Sequence, residues 1–306
     1  MTETSQEVQP PVPTLNRRGA ALAALGAGVA AALGSPPAQA GLATLDEALA
    51  LPIKHLHRNG VRIAYVEKGS GDKTMLLVHG MLGSHQSMLH MVHHYALKYR
   101  VVAIDMRGHG DSDKPKTLYD MAAFSDDLVQ VCRELRLAKP VCVGHSFGGS
   151  AVLHLAFHHP ETVGGIVLLD SGIRPAKERA AELKAVYDDP DPEALRKFLA
   201  ERMLNPFDPP ELKDQNARRV HPPEHVVESM QQTVISYEAA DDAAAIKLPA
   251  LFILATRPFT DQATLKRLGT NWLIGQVVAS GHSVHVIVPD QVYPMIDRFM
   301  AVNGLA

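Results

Sequence analysis

Val141-Cys142-Val143-Gly144-His145-Ser146-Phe147-Gly148-Gly149 decides how this chain is read. Val141 to Val143 is a short apolar run of strand type. Gly144-His145-Ser146-Phe147-Gly148 is a Gly-x-Ser-x-Gly turn, and residues 149–159 have helical character. Strand, turn and helix in that order make the layout of a nucleophile elbow. A serine on so sharp a turn needs neighbours at minus two and plus two with almost no side chain, because the strand and helix backbones crowd there. Gly144 and Gly148 meet that need. The turn then lifts the Ser146 hydroxyl above the end of a sheet, with the N-terminus of a helix beneath it.

Outward from the elbow the chain alternates. Residues 61–66 alternate as a strand. Residues 74–78, 100–104, 140–143 and 163–169 are apolar strand runs, and 87–98, 122–137 and 149–159 have helical spacing. Strands interleaved with helices of this length build βαβ units and a mainly parallel sheet. The runs are continuous rather than alternating, as expected for strands covered on both faces. The rhythm stops between about 175 and 246, where Phe198, Leu199, Met203, Leu204 and Phe207 stand among charged residues and prolines. It resumes with a strand at 248–255, a helix at 261–268, a strand at 273–279 and a closing helix at 290–302. The expected organisation is a core of residues 41–175 and 246–306, with a helical cap at 176–245.

The bulk numbers exclude some functions. Of 306 residues, 46% are hydrophobic and 21% charged, as in ordinary globular domains. A net charge of −3 without long basic runs argues against a nucleic-acid partner. Arg17-Arg18 precedes an Ala/Gly/Leu run at 20–33, which ends in Pro36-Pro37-Ala38-Gln39-Ala40. That is the pattern of an export signal with an Ala-x-Ala cleavage site. The arginine pair resembles a twin-arginine signal, although Gly19 and Ala20 stand where a bulky residue is usual. Residues 1–40 are therefore expected to be removed, giving a periplasmic or secreted protein. The apolar run is short for a membrane span, so no stable membrane insertion of the mature chain is expected. Cys132 falls on a helix and Cys142 on the next strand. They read as buried free thiols, although an oxidising compartment would permit pairing if the geometry allowed it.

Four motifs in fixed order make the chain resemble the α/β-hydrolase fold superfamily. They are His79-Gly80-Met81-Leu82-Gly83-Ser84, Asp105-Met106-Arg107-Gly108-His109-Gly110-Asp111-Ser112, the elbow, and Gly281-His282 before Pro289. The resemblance covers residues 61–302. It implies an α/β fold with a mainly parallel eight-stranded sheet, flanking helices and a helical cap insertion.

The resemblance also assigns roles. A serine hydroxyl needs a neighbouring base, and His282 in the loop after the last strand is the candidate. The oxyanion formed during attack on a carbonyl needs two donors. These are the backbone N–H of Phe147 and, by resemblance, that of Met81. The family's usual acid follows the strand around Leu251–Leu254, but here the turn reads Ala255-Thr256-Arg257-Pro258-Phe259-Thr260-Asp261. Asp261 comes late and suits a helix N-cap. Some members carry the acid after the preceding strand, where Asp170 stands. Asp170 is the preferred acid and Asp261 the alternative. His79 and the 105–112 loop read as structural, His145 as packing, and His285 as a pocket residue. His90/His94 and His154/His158 have the i, i+4 spacing of helical metal ligands, but no supporting acid or HExxH pattern accompanies them in sequence. No metal and no organic cofactor is implied.

Together these readings point to a serine hydrolase acting on a small or medium ester, lactone or amide. Carbon–carbon bond hydrolysis and cofactor-free perhydrolase chemistry are alternatives on the same fold, as is a non-enzymatic ligand-binding member. Dehalogenases and epoxide hydrolases of the fold use an aspartate where Ser146 stands. The partner implied is a small-molecule substrate.

Overall fold

In the computed structural model, residues 50–58, 60–173, 203–209, 222–237, 239–268 and 272–306 are described. The expected export segment 1–40 lies outside them, as does most of the expected cap. The strands are β1 (Lys54–Arg58), β2 (Val61–Lys68), β3 (Thr74–Val78), β4 (Arg100–Ile104), β5 (Val141–His145), β6 (Gly165–Leu169), β7 (Ala250–Leu254) and β8 (Trp272–Gln276). The helices are α1 (Leu89–Tyr95), α2 (Met121–Glu134), α3 (Phe147–His158), α4 (Glu224–Ser236), α5 (Ala239–Ala245), α6 (Gln262–Leu268), α7 (Val284–Ile287) and α8 (Pro289–Val302).

The strands form one eight-stranded sheet in the order β1-β2-β4-β3-β5-β6-β7-β8. β2 pairs antiparallel with β1 and β4, and the remaining pairs are parallel. The expected fold class is therefore found. β1 was not foreseen: Lys54-His55-Leu56-His57-Arg58 is a polar edge strand with one apolar residue, so no hydrophobic run marks it.

Alternate residues of each inner strand feed two cores, one per face. Leu76, Val78, Cys142, Ile166, Phe252 and Leu254 join Phe124 and Leu128 of α2, Val152 and Leu155 of α3, Val226 and Met230 of α4, and Ala239 and Ala243 of α5. Met75, Leu77, Val143, Val167, Leu251 and Ile253 join Met91, Val92 and Tyr95 of α1 and Val292, Ile296 and Phe299 of α8. Burial on both faces explains why the strands read as unbroken apolar runs.

Helix limits follow local chemistry. Asp120 caps α2, its Oδ1 accepting the Ala123 amide at 2.8 Å. The helix ends at Glu134 rather than 137 because Arg136 adopts φ 53° and the Leu137 amide folds back to the Cys132 carbonyl at 2.8 Å. Cys132 and Cys142 are both buried free thiols. Burial pushes the Cys132 thiol up to about 12 and the Cys142 thiol well above its usual value, so neither is primed to react. Among the described residues, no helix is long and apolar enough to cross a membrane.

Candidate active site

The sheet itself locates the site. β3 lies between β4 and β5, and the connection after β3 runs to one side, to β4, while that after β5 runs to the other, to β6. In open α/β sheets the crevice beyond the carboxyl ends of such strands is where ligands bind. The loop after β3 carries Gly80 and Met81, and the turn after β5 carries Ser146.

Ser146 has φ 53° and ψ −120°, a region that a residue with a Cβ rarely adopts. Such a conformation costs about 1–3 kcal/mol and persists only where the surroundings enforce it. The two glycines do so. A Cβ on Gly144 would lie 2.5 Å from the Gly148 carbonyl oxygen and the Gly149 Cα. A Cβ on Gly148 would collide with the carbonyl oxygens of His79 and Val78. The Ser146 amide donates to the Leu169 carbonyl at 3.0 Å, extending the β5–β6 ladder one residue into the turn. The Ser146 carbonyl accepts the Gly149 amide at 2.9 Å and the Ser150 amide at 3.3 Å, which starts α3.

Asp170 follows β6, the immediate neighbour of β5. It too has positive φ, at 44°, and its amide donates to the Ile253 carbonyl at 2.7 Å. Its Oδ2 lies 2.6 Å from Nδ1 of His282, and its Oδ1 accepts the Ala255 amide at 3.2 Å. The Asp170 side chain is 1% exposed and that of His282 4%. A carboxylate oxygen accepts, so Nδ1 of His282 is the donor of this bond and Nε2 is the ring nitrogen left to face a substrate. That Nε2 is buried and has no hydrogen-bond partner among the described residues. Asp261 is elsewhere: it is exposed, and its Oδ1 accepts the Thr264 amide at 2.7 Å at the start of α6. That backbone bond leads the causes that hold its carboxyl below the usual range.

The loop after β3 approaches the serine closely. A Cβ on Gly80 would stand 2.8 Å from Nδ1 of His145 and 3.2 Å from Cβ of Ser146. The Gly83 amide donates to the Gly80 carbonyl at 3.0 Å, closing a turn whose third residue, Leu82, has φ 60°. Met81 is the second residue of that turn, and the closing bond does not use its amide. Phe147 is the first residue of α3, so its amide has no intrahelical acceptor. Both candidate oxyanion donors thus sit on backbone next to Ser146.

The residues read as structural are bound in place. His79 donates from Nδ1 to the Gly80 carbonyl at 2.7 Å and accepts the Met106 amide at Nε2 at 3.0 Å. Asp105 accepts from the amide and Nδ1 of His85 at 2.6 and 2.9 Å and from the Asp111 amide at 2.8 Å. Burial works to raise its carboxyl, but the His85 hydrogen bonds and the nearby His79 hold it below the usual range. Arg107 grips Asp127 with two bonds of 2.6 Å. His94 packs against the rings of Tyr95 and Tyr293.

Sequence reasoning missed the supports around His282. The His282 amide donates to the Met203 carbonyl at 2.8 Å, and the Gly281 amide to Oδ1 of Asp208 at 2.8 Å. The other oxygen of Asp208 accepts the Asn205 amide at 2.7 Å. Nε2 of His145 donates to the His282 carbonyl at 3.1 Å, and the two rings lie 4.5 Å apart. Phe259 meets the His282 ring edge-on at 4.8 Å. His285 is buried with its ring 4.7 Å from that of His145. Asn205-Pro206 is a turn signal in sequence, but nothing local says that the turn abuts His282.

Ser146 follows β5 and the Asp170–His282 pair stands at the end of the neighbouring β6, while Nε2 of His282 makes no hydrogen bond to Ser146. Comparisons with known proteins agree on the scaffold. A family model described as alpha/beta hydrolase fold matches residues 73–250. An uncharacterised protein of Mycobacterium tuberculosis is 34% identical over 119 residues, 39% of this chain and 33% of that protein. The bifunctional epoxide hydrolase 2 of Sus scrofa is 30% identical over 138 residues, 44% of this chain and 25% of the enzyme. The chain thus spans a third or less of the length of these relatives. Among solved structures, Est816, described as an N-acyl homoserine lactone degrading enzyme, superposes with a TM-score of 0.73 at 25% identity, covering 80% of this chain and all of that one. With more than half of its length matched by the family model, the chain belongs to the alpha/beta hydrolase fold family.

Proposed function

We propose that the protein is a serine hydrolase that cleaves a small or medium carboxylic ester or lactone through an acyl-enzyme on Ser146. The observation that carries this reading is the 2.6 Å contact between Asp170 and His282 at the end of β6, the strand paired with the one that leads into Ser146, which is held at φ 53°. In the proposed reaction Ser146 Oγ attacks the carbonyl carbon while Nε2 of His282 takes its proton. The oxyanion is held by the amides of Met81 and Phe147. Collapse of the intermediate breaks the carbon–oxygen bond, and the proton on His282 passes to the leaving alcohol. Water, activated by the same nitrogen, then releases the acid and regenerates Ser146. Asp170 keeps the imidazole in the useful tautomer and stabilises its cation.

The likeness to a lactone-degrading enzyme over 80% of the chain supports a lactone among the substrates. Epoxide hydrolysis is less well supported despite the curated relatives, because this fold performs it with an aspartate where this chain has Ser146. The chain's described insertion residues support a specificity role for the segment 176–245. Met203 and Asp208 contact the His282 loop, and Ser229 and Thr233 of α4 are hydrogen-bonded to Tyr119.

The test is a screen of purified protein against p-nitrophenyl esters of graded chain length, lactones and anilides, with Ser146→Ala and His282→Ala alongside. Wild-type turnover of an ester or lactone that falls at least 10³-fold in each variant is expected. Turnover that persists in Ser146→Ala would refute the mechanism.

A further inference from the structure

We propose that His154, His158 and Asp242 form a binding site for a zinc-class transition-metal ion, separate from the hydrolytic centre. His154 and His158 are one helical turn apart on α3, on the same face, and their rings are 4.0 Å apart. Asp242 reaches them from α5, 84 residues further along the chain. One potential ligand atom from each of the three residues lies within 4.8 Å of the other two, and Nε2 of His158 is 3.9 Å from Oδ2 of Asp242. Ligands bonded to tetrahedral zinc at about 2.0–2.2 Å stand roughly 3.4 Å from one another. The closing movement needed is therefore small. His158 can make it, since its side chain is 44% exposed, whereas that of Asp242 is 13% exposed and fixed.

The surrounding hydrogen bonds prepare the ligands. Oγ of Ser125 lies 3.1 Å from the Ala122 carbonyl and 2.9 Å from Nδ1 of His154, and in the arrangement where it donates to the carbonyl it accepts from the ring. Nδ1 then carries the proton and Nε2 of His154 presents its lone pair, the form that binds a metal. The hydroxyl of Tyr237 donates to Oδ2 of Asp242 at 2.7 Å and orients that carboxylate. Every ligand but the exposed His158 thus has an outer partner, and solvent can supply a fourth ligand on the His158 side. Two imidazoles and one carboxylate suit zinc, nickel or copper rather than calcium or magnesium. His154 lies about 10 Å along α3 from Phe147, by the 1.5 Å rise per residue. An ion here would tie the elbow helix to α5 and stabilise the fold without entering the reaction.

The test uses untagged protein stripped with a chelator and titrated with zinc chloride, read by calorimetry and by melting temperature. One site per chain and a zinc-dependent rise in Tm are expected, with no rise from calcium chloride. His158→Gln, on an exposed side chain, should keep the metal-free Tm and lose the rise. Asp242→Asn should weaken zinc binding at least tenfold. Absence of a zinc-dependent rise in the wild type would overturn the proposal. So would a rise retained in full by His158→Gln, because the ion would then sit on other histidines.

Discussion

Oδ2 of Asp170 lies 2.6 Å from Nδ1 of His282, and Oδ1 of the same carboxylate is held by the Ala255 amide. One oxygen serves the imidazole and the other anchors the side chain to the end of β7. Asp261 makes no such contact and caps α6. Asp170→Asn should therefore keep the fold but lower kcat by roughly 10³–10⁴, because the amide no longer enforces the tautomer. Asp261→Asn should leave kcat within about twofold and stability within about 0.5 kcal/mol, because asparagine caps a helix about as well as aspartate. Steady-state kinetics and urea unfolding on both variants check this, and the reverse ranking in kcat would return the acid to Asp261.

Gly148→Ala places a methyl group against the carbonyl oxygens of His79 and Val78, which are backbone and have no rotamer to yield. Destabilisation beyond the usual 1–3 kcal/mol of core overpacking is expected. Gly172→Ala meets nothing within 4 Å and serves as the control. Thermal melts should separate the two by several degrees, and equal Tm values would mean that the elbow is less tightly closed than it appears from the close approach of β3.

The sheet was legible in the sequence because each inner strand is an apolar run sandwiched between two cores, and Gly144, Ser146 and Gly148 mark the elbow through steric need alone. β1 escaped because an edge strand of Lys, His and Arg has no hydrophobic signature. The supports of His282 escaped for another reason. The Met203 carbonyl and the Asp208 carboxylate act on it from a segment more than 70 residues away, and the hydrogen bonds that fix it are made to backbone, which no side-chain pattern announces. The His154–His158 pair was visible as a spacing, but its carboxylate neighbour Asp242 belongs to a different helix.

His109 should contribute an acid sensitivity. It is buried, its Nδ1 donates to the Arg107 carbonyl at 3.0 Å, and burial followed by the neighbouring His79 pushes its pKa down to about 3. In the unfolded chain it titrates near 6.5, so between these values the unfolded state binds one more proton than the folded state. Stability from this residue is complete above about pH 6.5 and is lost as the pH falls toward 3. Between pH 7 and 5 the loss amounts to about 2 kcal/mol. Urea unfolding of wild type and His109→Gln at pH 7, 6 and 5 should show a shallower decline in the variant. Parallel declines would mean that His109 accepts its proton within the fold.

Residues 1–40 are proposed to be an export signal, from Arg17-Arg18, the Ala/Gly-rich run and Ala38-Gln39-Ala40. Intact-mass measurement on protein recovered from the periplasm of an expressing bacterium should give a mature chain that begins at Gly41. Arg17→Lys with Arg18→Lys should hold back export if the twin-arginine route is used. Full-length protein confined to the cytoplasm would end the proposal.

The central claim is that Ser146 is the nucleophile, and covalent labelling tests it most directly. Wild-type protein treated with a fluorophosphonate should gain one adduct, and peptide mass spectrometry should place it on Ser146. His282→Ala should label at least 10²-fold more slowly, since the serine then lacks its base. An adduct on another residue, or an unmodified Ser146 in enzyme that hydrolyses an ester and is inactivated by the probe, would contradict the account.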